Sequence, residues 1–159
     1  MEIRRFNPVD AEAVSQLVCR NLLEVNSKDY PLAEMQKMAK QYDAAKIMQI
    51  ASTAHLYVLC DDNTIVGSGA IDSLNGSLTE SILLTVFVLP EYHGKGLGQK
   101  IIHALEQDDF FLRAKRIEVP ASLTACAFYE KMGYWYKGGT KPTVESSHFE
   151  AHYDMEKHR

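Results

Sequence analysis

Apolar residues recur at helical spacing in two N-terminal stretches, and apolar or β-branched runs bounded by turn residues fill much of the remaining chain. Ala11, Val14, Leu17, Val18, Leu22 and Val25 mark one helical face. Asn7 is placed to cap that helix, with Pro8 at its first position. Residues 26–29 break the pattern. Pro31 then opens a second helical stretch, with Leu32, Met35, Ala39 and Tyr42 on one face, continuing towards Ile50. Upstream, Glu2–Phe6 reads as a short strand. His55–Cys60 and Thr64–Asp72 read as a hairpin closed by Asp61-Asp62-Asn63, and Asn75-Gly76-Ser77 makes the next turn. Glu80–Leu89 is a long β-branched and apolar strand that Pro90 ends. Leu97, Ile101, Ile102 and Leu105 mark another helix, and Arg116–Val119 a short strand. Ser122 can cap a helix that runs through Met132, with Gly133 as its C-terminal cap. Tyr134–Tyr136 and Phe149–Met155 complete the strands. This order predicts a mixed α/β fold with hairpins rather than a repeated βαβ unit.

A length of 159 residues suits one globular domain spanning 1–159. The composition, 46% hydrophobic and 24% charged, is that of an ordinary soluble protein. The apolar run Ile82–Leu89 is far shorter than the ~20 residues of a membrane span. The charged start MEIRRFNPVD has no apolar signal core, which predicts a cytoplasmic protein. Cys19, Cys60 and Cys126 are scattered and odd in number, against a disulfide framework or a zinc site. A net charge of −4 disfavours general nucleic-acid binding. The six histidines are dispersed apart from His148 and His152, whose spacing on a strand puts the rings about 13 Å apart, so no metal site is expected.

The sharpest chemical signal is PEYHGKGLGQK, residues 90–100, with Gly94, Gly96 and Gly98 at alternate positions between a strand and a helix. The first amides of a helix lack internal partners and carry the positive end of its dipole. Glycines allow close approach and positive φ, so such a turn suits a phosphate. Spacing excludes the two common phosphate motifs. A P-loop counted from Gly94 meets Gln99 where its second glycine is required. The dinucleotide fingerprint meets Gln99 or Ile101 in place of its third glycine.

The segment HxxGxG, His93–Gly98, resembles the pyrophosphate-binding signature [QR]xxGx[GA] of the GNAT superfamily of N-acetyltransferases. The preceding LTVFVLPEY resembles that family's fourth strand. Downstream, ASLTACAFYEKMGY, residues 121–134, resembles its second signature, an FY pair before xxxG[FY]. The resemblance implies an α/β GNAT-like fold: a central, mostly antiparallel sheet of about six or seven strands, splayed between strands 4 and 5 and flanked by about four helices. His93 departs from the usual Gln or Arg and removes a permanent side-chain charge.

By the same resemblance the cosubstrate is acetyl-CoA, with no metal. Its pyrophosphate would lie on residues 94–99: Gly94, Lys95, Gly96, Leu97, Gly98 and Gln99, beside His93. Phe87 and Val88 would pair with the pantetheine arm as an added strand, one amide there polarising the thioester carbonyl. Thr124 would contact the same arm. Lys95 and Lys100 are either phosphate contacts or solvated charges. Tyr129 matches the family's proton donor to the departing thiolate. A phenol with a reference pKa near ~10 stays protonated at neutral pH.

Glu80 is a candidate base at the start of the fourth strand. Position 84, nearer the reacting centre, is leucine, so the base is otherwise water, or His148 or His152 near the last strand. Asn26, Asp29 and Tyr30 are candidates for lining the acceptor pocket. Trp135 with its tyrosine neighbours reads as strand packing. The resemblance thus implies acetyl transfer to a primary amine by direct attack, without an acyl-enzyme on Cys126. The alternative is a non-catalytic acyl-CoA-binding or sensor module. A small-molecule or peptide amine is the expected partner, and a homodimer is compatible with the family. No motif identifies the amine: a protein N-terminus, a lysine, a polyamine, an amino acid or an aminoglycoside all fit.

Overall fold

The structure, a computed structural model, describes residues 1–143 and 152–159. Seven strands form one sheet: β1 (Glu2–Arg5), β2 (His55–Asp61), β3 (Thr64–Ser73), β4 (Glu80–Val88), β5 (Arg116–Ala121), β6 (Trp135–Tyr136) and β7 (Tyr153–His158). Their spatial order is β1-β2-β3-β4-β5-β7-β6. All neighbours are antiparallel except β4 and β5. The helices are α1 (Ala11–Glu24), α2 (Leu32–Gln41), α3 (Ala44–Thr53), α4 (Leu97–Leu105), α5 (Asp109–Leu112) and α6 (Cys126–Lys131). Among the described residues, no helix is long and apolar enough to cross a membrane.

Strand periodicity divides the core into two layers. Val58 and Ala70 pack with Val14, Val18, Leu22 and Ile47 on one face of the sheet. Leu59 and Ile71, one residue further along each strand, pack with Ile101, Ile102 and Leu105 on the other.

The second helical stretch is two helices, not one. Tyr42 leaves the helical region, and the Asp43 carboxylate accepts the Lys46 amide at 2.8 Å to start α3 afresh. At the N-terminus, Asn7 and Pro8 begin a short 3-10 turn ahead of α1. The last strand starts at Tyr153, and the expected start at Phe149 lies outside the described residues.

The buried Asp10 carboxylate accepts both guanidinium nitrogens of Arg4, at 2.8 and 3.0 Å, and the Asn7 amide at 2.8 Å. The Arg4 guanidinium outweighs burial and holds this carboxyl below its ordinary value. A depressed folded pKa contributes stability that is present above the unfolded value near ~3.9 and lost as pH falls through the folded value. Asp10→Asn is therefore expected to cost about 1.5–3 kcal/mol at pH 7. The variant should also lose less than the native chain between pH 7 and pH 3. Urea midpoints at the two pH values check this, and equal acid losses would sink the assignment.

The site depends on how β4 leaves β5. The two strands pair only through Glu80–Arg116, Ser81–Ile117 and Ile82–Glu118. Arg116 clamps that closed end, with guanidinium nitrogens 3.1 Å from Glu80 and 3.1 Å from Glu156. Beyond it, β4 bulges. Ser68 faces Phe87 and Ala70 faces Leu84, so Thr85 and Val86 together oppose Gly69. Thr85 sits at φ 54, and its carbonyl accepts the Ser68 hydroxyl at 2.7 Å. A β-branched residue there costs on the order of 1–3 kcal/mol and bends the strand. Gly69 is required because a Cβ would lie 2.5 Å from Cγ2 of Ile101 on α4.

Across the gap, Asp154 sends its carbonyl to the Lys137 amide on the β6 side. Its partner Pro120 therefore turns its nitrogen towards the gap, where it has no N–H to offer. The bulge and the proline keep the two edges from closing.

Candidate active site

Two cavities open from this gap, of about 450 and 400 Å³. They share a wall made by Asn26, Val86, Phe87, Ser122, Ala125 and Tyr129. The larger cavity runs along the free edge of β4 to the glycine turn. Gly94 and Gly96 adopt φ 76 and 75, and a Cβ at either would meet nothing within 4 Å. Gly96 caps α4 in the left-handed region, which exposes the first amides of that helix beside the cavity. Gly98, in the first turn, lies against the Phe128 ring, with 3.2 Å between its would-be Cβ and the ring. A turn open at two glycines, a helix N-terminus and an unpaired strand edge together suit an extended phosphorylated ligand such as CoA.

Most of the expected cofactor residues meet here. Phe87, Val88, His93, Gly94, Gly96, Leu97, Gly98, Gln99 and Thr124 all line this cavity. Nε2 of His93 lies 2.7 Å from the Val88 carbonyl, so the imidazole holds the end of the β4 edge rather than a free position. Lys95 does not line the cavity; its ammonium sits 5.0 Å over the Tyr92 ring. Lys100 donates to the Met1 carbonyl at 2.9 Å.

The smaller cavity lies between α1–α3 and the diverging strands. Asn26 and Tyr30, the expected acceptor-side residues, line it. Asp29 lines neither cavity. Its carboxylate accepts the Thr124 hydroxyl at 2.7 Å, while the Tyr30 hydroxyl accepts the Leu123 amide at 2.7 Å. These two bonds tie the segment after α1 to the turn before α6 across the mouth of the gap. The Thr124 hydroxyl is thus already engaged. The helix expected from Ser122 begins at Cys126 after a 3-10 turn, which leaves the Leu123 amide free for Tyr30.

Tyr129 is 4% exposed and stands on the wall common to both cavities. Its ring meets Phe128 and Tyr134 edge-on at 5.1 and 5.8 Å. Burial pushes its phenol above the ordinary value, so the hydroxyl stays protonated at neutral pH. α6 is ended by Gly133 at φ 92, with the Tyr134 amide returning to the Tyr129 carbonyl at 2.9 Å. That cap holds the last turn of the helix against the sheet.

Glu80 lines neither cavity and is held at the closed end by Arg116. His152 lines the smaller cavity, with Nε2 3.3 Å from Asp154. His148 lies outside the described residues. Cys126 lines neither cavity; its thiol donates to the Ser122 carbonyl at 3.4 Å, and burial raises its pKa. Trp135 also stands apart, its ring nitrogen donating to the Gly139 carbonyl at 3.0 Å. No group of three or more His, Cys, Asp or Glu able to hold a metal occurs among the described residues.

Sequence reasoning missed Asn21, Val25, Tyr92 and Phe128 in the larger cavity. It also missed Met35, Met38, Tyr42, Lys46 and Ile50 in the smaller one. Val25, Met35, Tyr42 and Ile50 carried a signal only as apolar helical faces, which read as core, and Asn21, Lys46 and Tyr92 carried none.

The fold has close counterparts among solved structures. A GCN5-related N-acetyltransferase from Rhodopseudomonas palustris superposes with a TM-score of 0.79 at 24% identity, over 99% of this chain and 95% of that one. The PaiA N-acetyltransferase from Thermoplasma acidophilum, solved in complex with coenzyme A, gives 0.80 at 17% identity, over 99% and 98%. An aminoglycoside 6'-N-acetyltransferase complexed with coenzyme A gives 0.69 at 19% identity, over 99% and 97%. At these identities the likeness is one of fold. Among curated protein sequences, none matches the chain. The model of the Acetyltransferase (GNAT) family matches residues 19–134, well over half of the chain and including both the glycine turn and the Tyr129 helix. The chain belongs to the GNAT family of acetyltransferases.

Proposed function

We infer that the protein is an N-acetyltransferase that moves an acetyl group from acetyl-CoA to a primary amine by direct attack. The observation that carries this reading is the shared wall: Tyr129, Val86 and Phe87 border both the glycine-turn cavity and the second cavity. A thioester in one and an amine in the other would meet there. When bound, acetyl-CoA supplies the activated acyl carbon. The amides of the α4 N-terminus hold its pyrophosphate, and the free β4 edge takes its pantetheine arm.

The amine enters neutral. Its lone pair forms the C–N bond, and an amide of the β4 bulge stabilises the oxyanion. The C–S bond then breaks, and its electron pair leaves on sulfur. Tyr129 protonates that sulfur and regains a proton from solvent. A thiol is normally the stronger acid, but the burial that raises the phenol also raises a thiol leaving into the same dry wall. The amine's spare proton departs through water. His152, on the wall of the acceptor cavity, is the described histidine placed to take it. Cys126, buried outside both cavities, fits a route without an acyl-enzyme.

Thermal unfolding tests the ligand half of this reading. At ~100 times its Kd, a ligand specific for the folded state adds ~2.7 kcal/mol, which moves the midpoint by several degrees. Acetyl-CoA and CoA should both produce that shift, and ATP should not. No shift with acetyl-CoA would withdraw the assignment while leaving the fold in place.

A further inference from the structure

The acceptor cavity has an uneven chemistry. Leu22, Met35, Met38, Ile50, Leu83 and Val119 give it apolar walls. Among the described residues that line it, none is an aspartate or glutamate. The nearest expected carboxylate, Asp29, lies outside it and is spent on Thr124. The charged side chain on its wall is instead Lys46, in the first turn of α3, with His152 on the opposite side of the gap. Lys46 is half-buried and has no ion-pair partner among the described residues.

This setting sorts the possible amines. A polyamine or an aminoglycoside would bring several ammonium groups into an apolar cavity with no described carboxylate to receive them. Each such charge is strongly penalised when desolvated and unpaired. An amine on an apolar body gains by removing that body from water. The thioether side chains of Met35 and Met38 suit irregular apolar shapes. The ammonium of Lys46, without an ion-pair partner among the described residues, adds a place for a negative group on the same molecule.

Resting on the acetyltransferase reading, we propose that the acceptor is a free α-amino acid with an apolar side chain, its carboxylate held by Lys46. The α-nitrogen takes the acetyl group, giving the N-acetyl amino acid and CoA thiol, with the spare proton released to water. The side chain lies among the methionines and Ile50, and Lys46 is a specificity residue that never touches the reacting carbon.

The test measures thiol release at fixed acetyl-CoA with L-methionine, L-leucine and L-phenylalanine, the three corresponding carboxamides, spermidine and kanamycin. The free amino acids should give the highest kcat/KM, at least tenfold above their carboxamides and above both polycations. Lys46→Gln should cut the acid-to-amide ratio about tenfold through KM, and Lys46→Arg should restore most of it. Preference for spermidine or kanamycin, or a ratio that Lys46→Gln does not move, would overturn the proposal and leave acetyl transfer standing. If acetyl-CoA stabilises the protein but none of the amines is acetylated, the amine-acetyltransferase reading falls and takes this proposal with it.

Discussion

Tyr129→Phe is expected to lower kcat by ~10²- to 10⁴-fold, the range for loss of one general acid. CoA affinity and the unfolding midpoint should stay close to those of the native chain. The expectation combines two facts of placement. The ring is held edge-on by Phe128 and Tyr134, and phenylalanine keeps those contacts. Tyr129 is part of the wall common to the two cavities. Only the proton is removed. Turnover by thiol release, with CoA titration on the same preparation, makes the measurement. An unchanged kcat would exclude Tyr129 as the donor. A chain that binds CoA and turns over no amine, native or variant, would be the acyl-CoA sensor instead.

The second large effect concerns the glycine turn. Gly96 and Gly76 have nearly the same φ, 75 and 76, and a Cβ at either meets nothing within 4 Å. Valine at either position carries the same backbone strain, on the order of 1–3 kcal/mol. Gly76 belongs to the turn before β4 and lines neither cavity. Gly96 sets the direction of the first α4 amides. Relief of the strain at Gly96 rotates those amides away from the phosphates, so Gly96→Val should weaken CoA binding by about 10- to 100-fold, the same 1–3 kcal/mol read as affinity. Gly76→Val should lose similar stability and keep its affinity. Calorimetric titration of both variants separates the two consequences. Equal affinities would show that the turn does not hold the phosphates.

Tyr129 and Gly96 are both legible in the sequence, and for a common reason. A glycine turn between a strand and a helix, and an FY pair ahead of a C-capping glycine, are local devices. Their chemistry is set by neighbours within one or two turns of chain. The succession of strands up to β5 was legible on the same basis, because strands covered on both faces read as short apolar or β-branched runs between turns. The split between α2 and α3 was local too, but its signal, Asp43 as an N-cap, is weak beside the continuous apolar face around it. The 3-10 turn that delays α6 had no local signal at all, since what stabilises it is the Tyr30 hydroxyl, 93 residues away in sequence.

The acceptor side shows the opposite case. Asp29 looked like an amine-binding carboxylate and Glu80 like a base, because both are charged residues at element ends. Their tertiary partners were not legible: Thr124 for the first and Arg116 for the second. Met35, Met38 and Ile50 looked like ordinary core, and they line a cavity only because α2 and α3 lie over a gap rather than over a closed sheet. That gap exists because Thr85 bulges out of register opposite Gly69 and Pro120 offers no donor from β5.

By itself, then, the sequence determined the alternation of elements, the glycine turn at the start of α4 and the family to which they point, because each rests on short-range patterning, backbone freedom or an uncapped helix end. The tertiary structure decided which charges are paired and where the two cavities meet, because those depend on contacts between residues far apart in the chain.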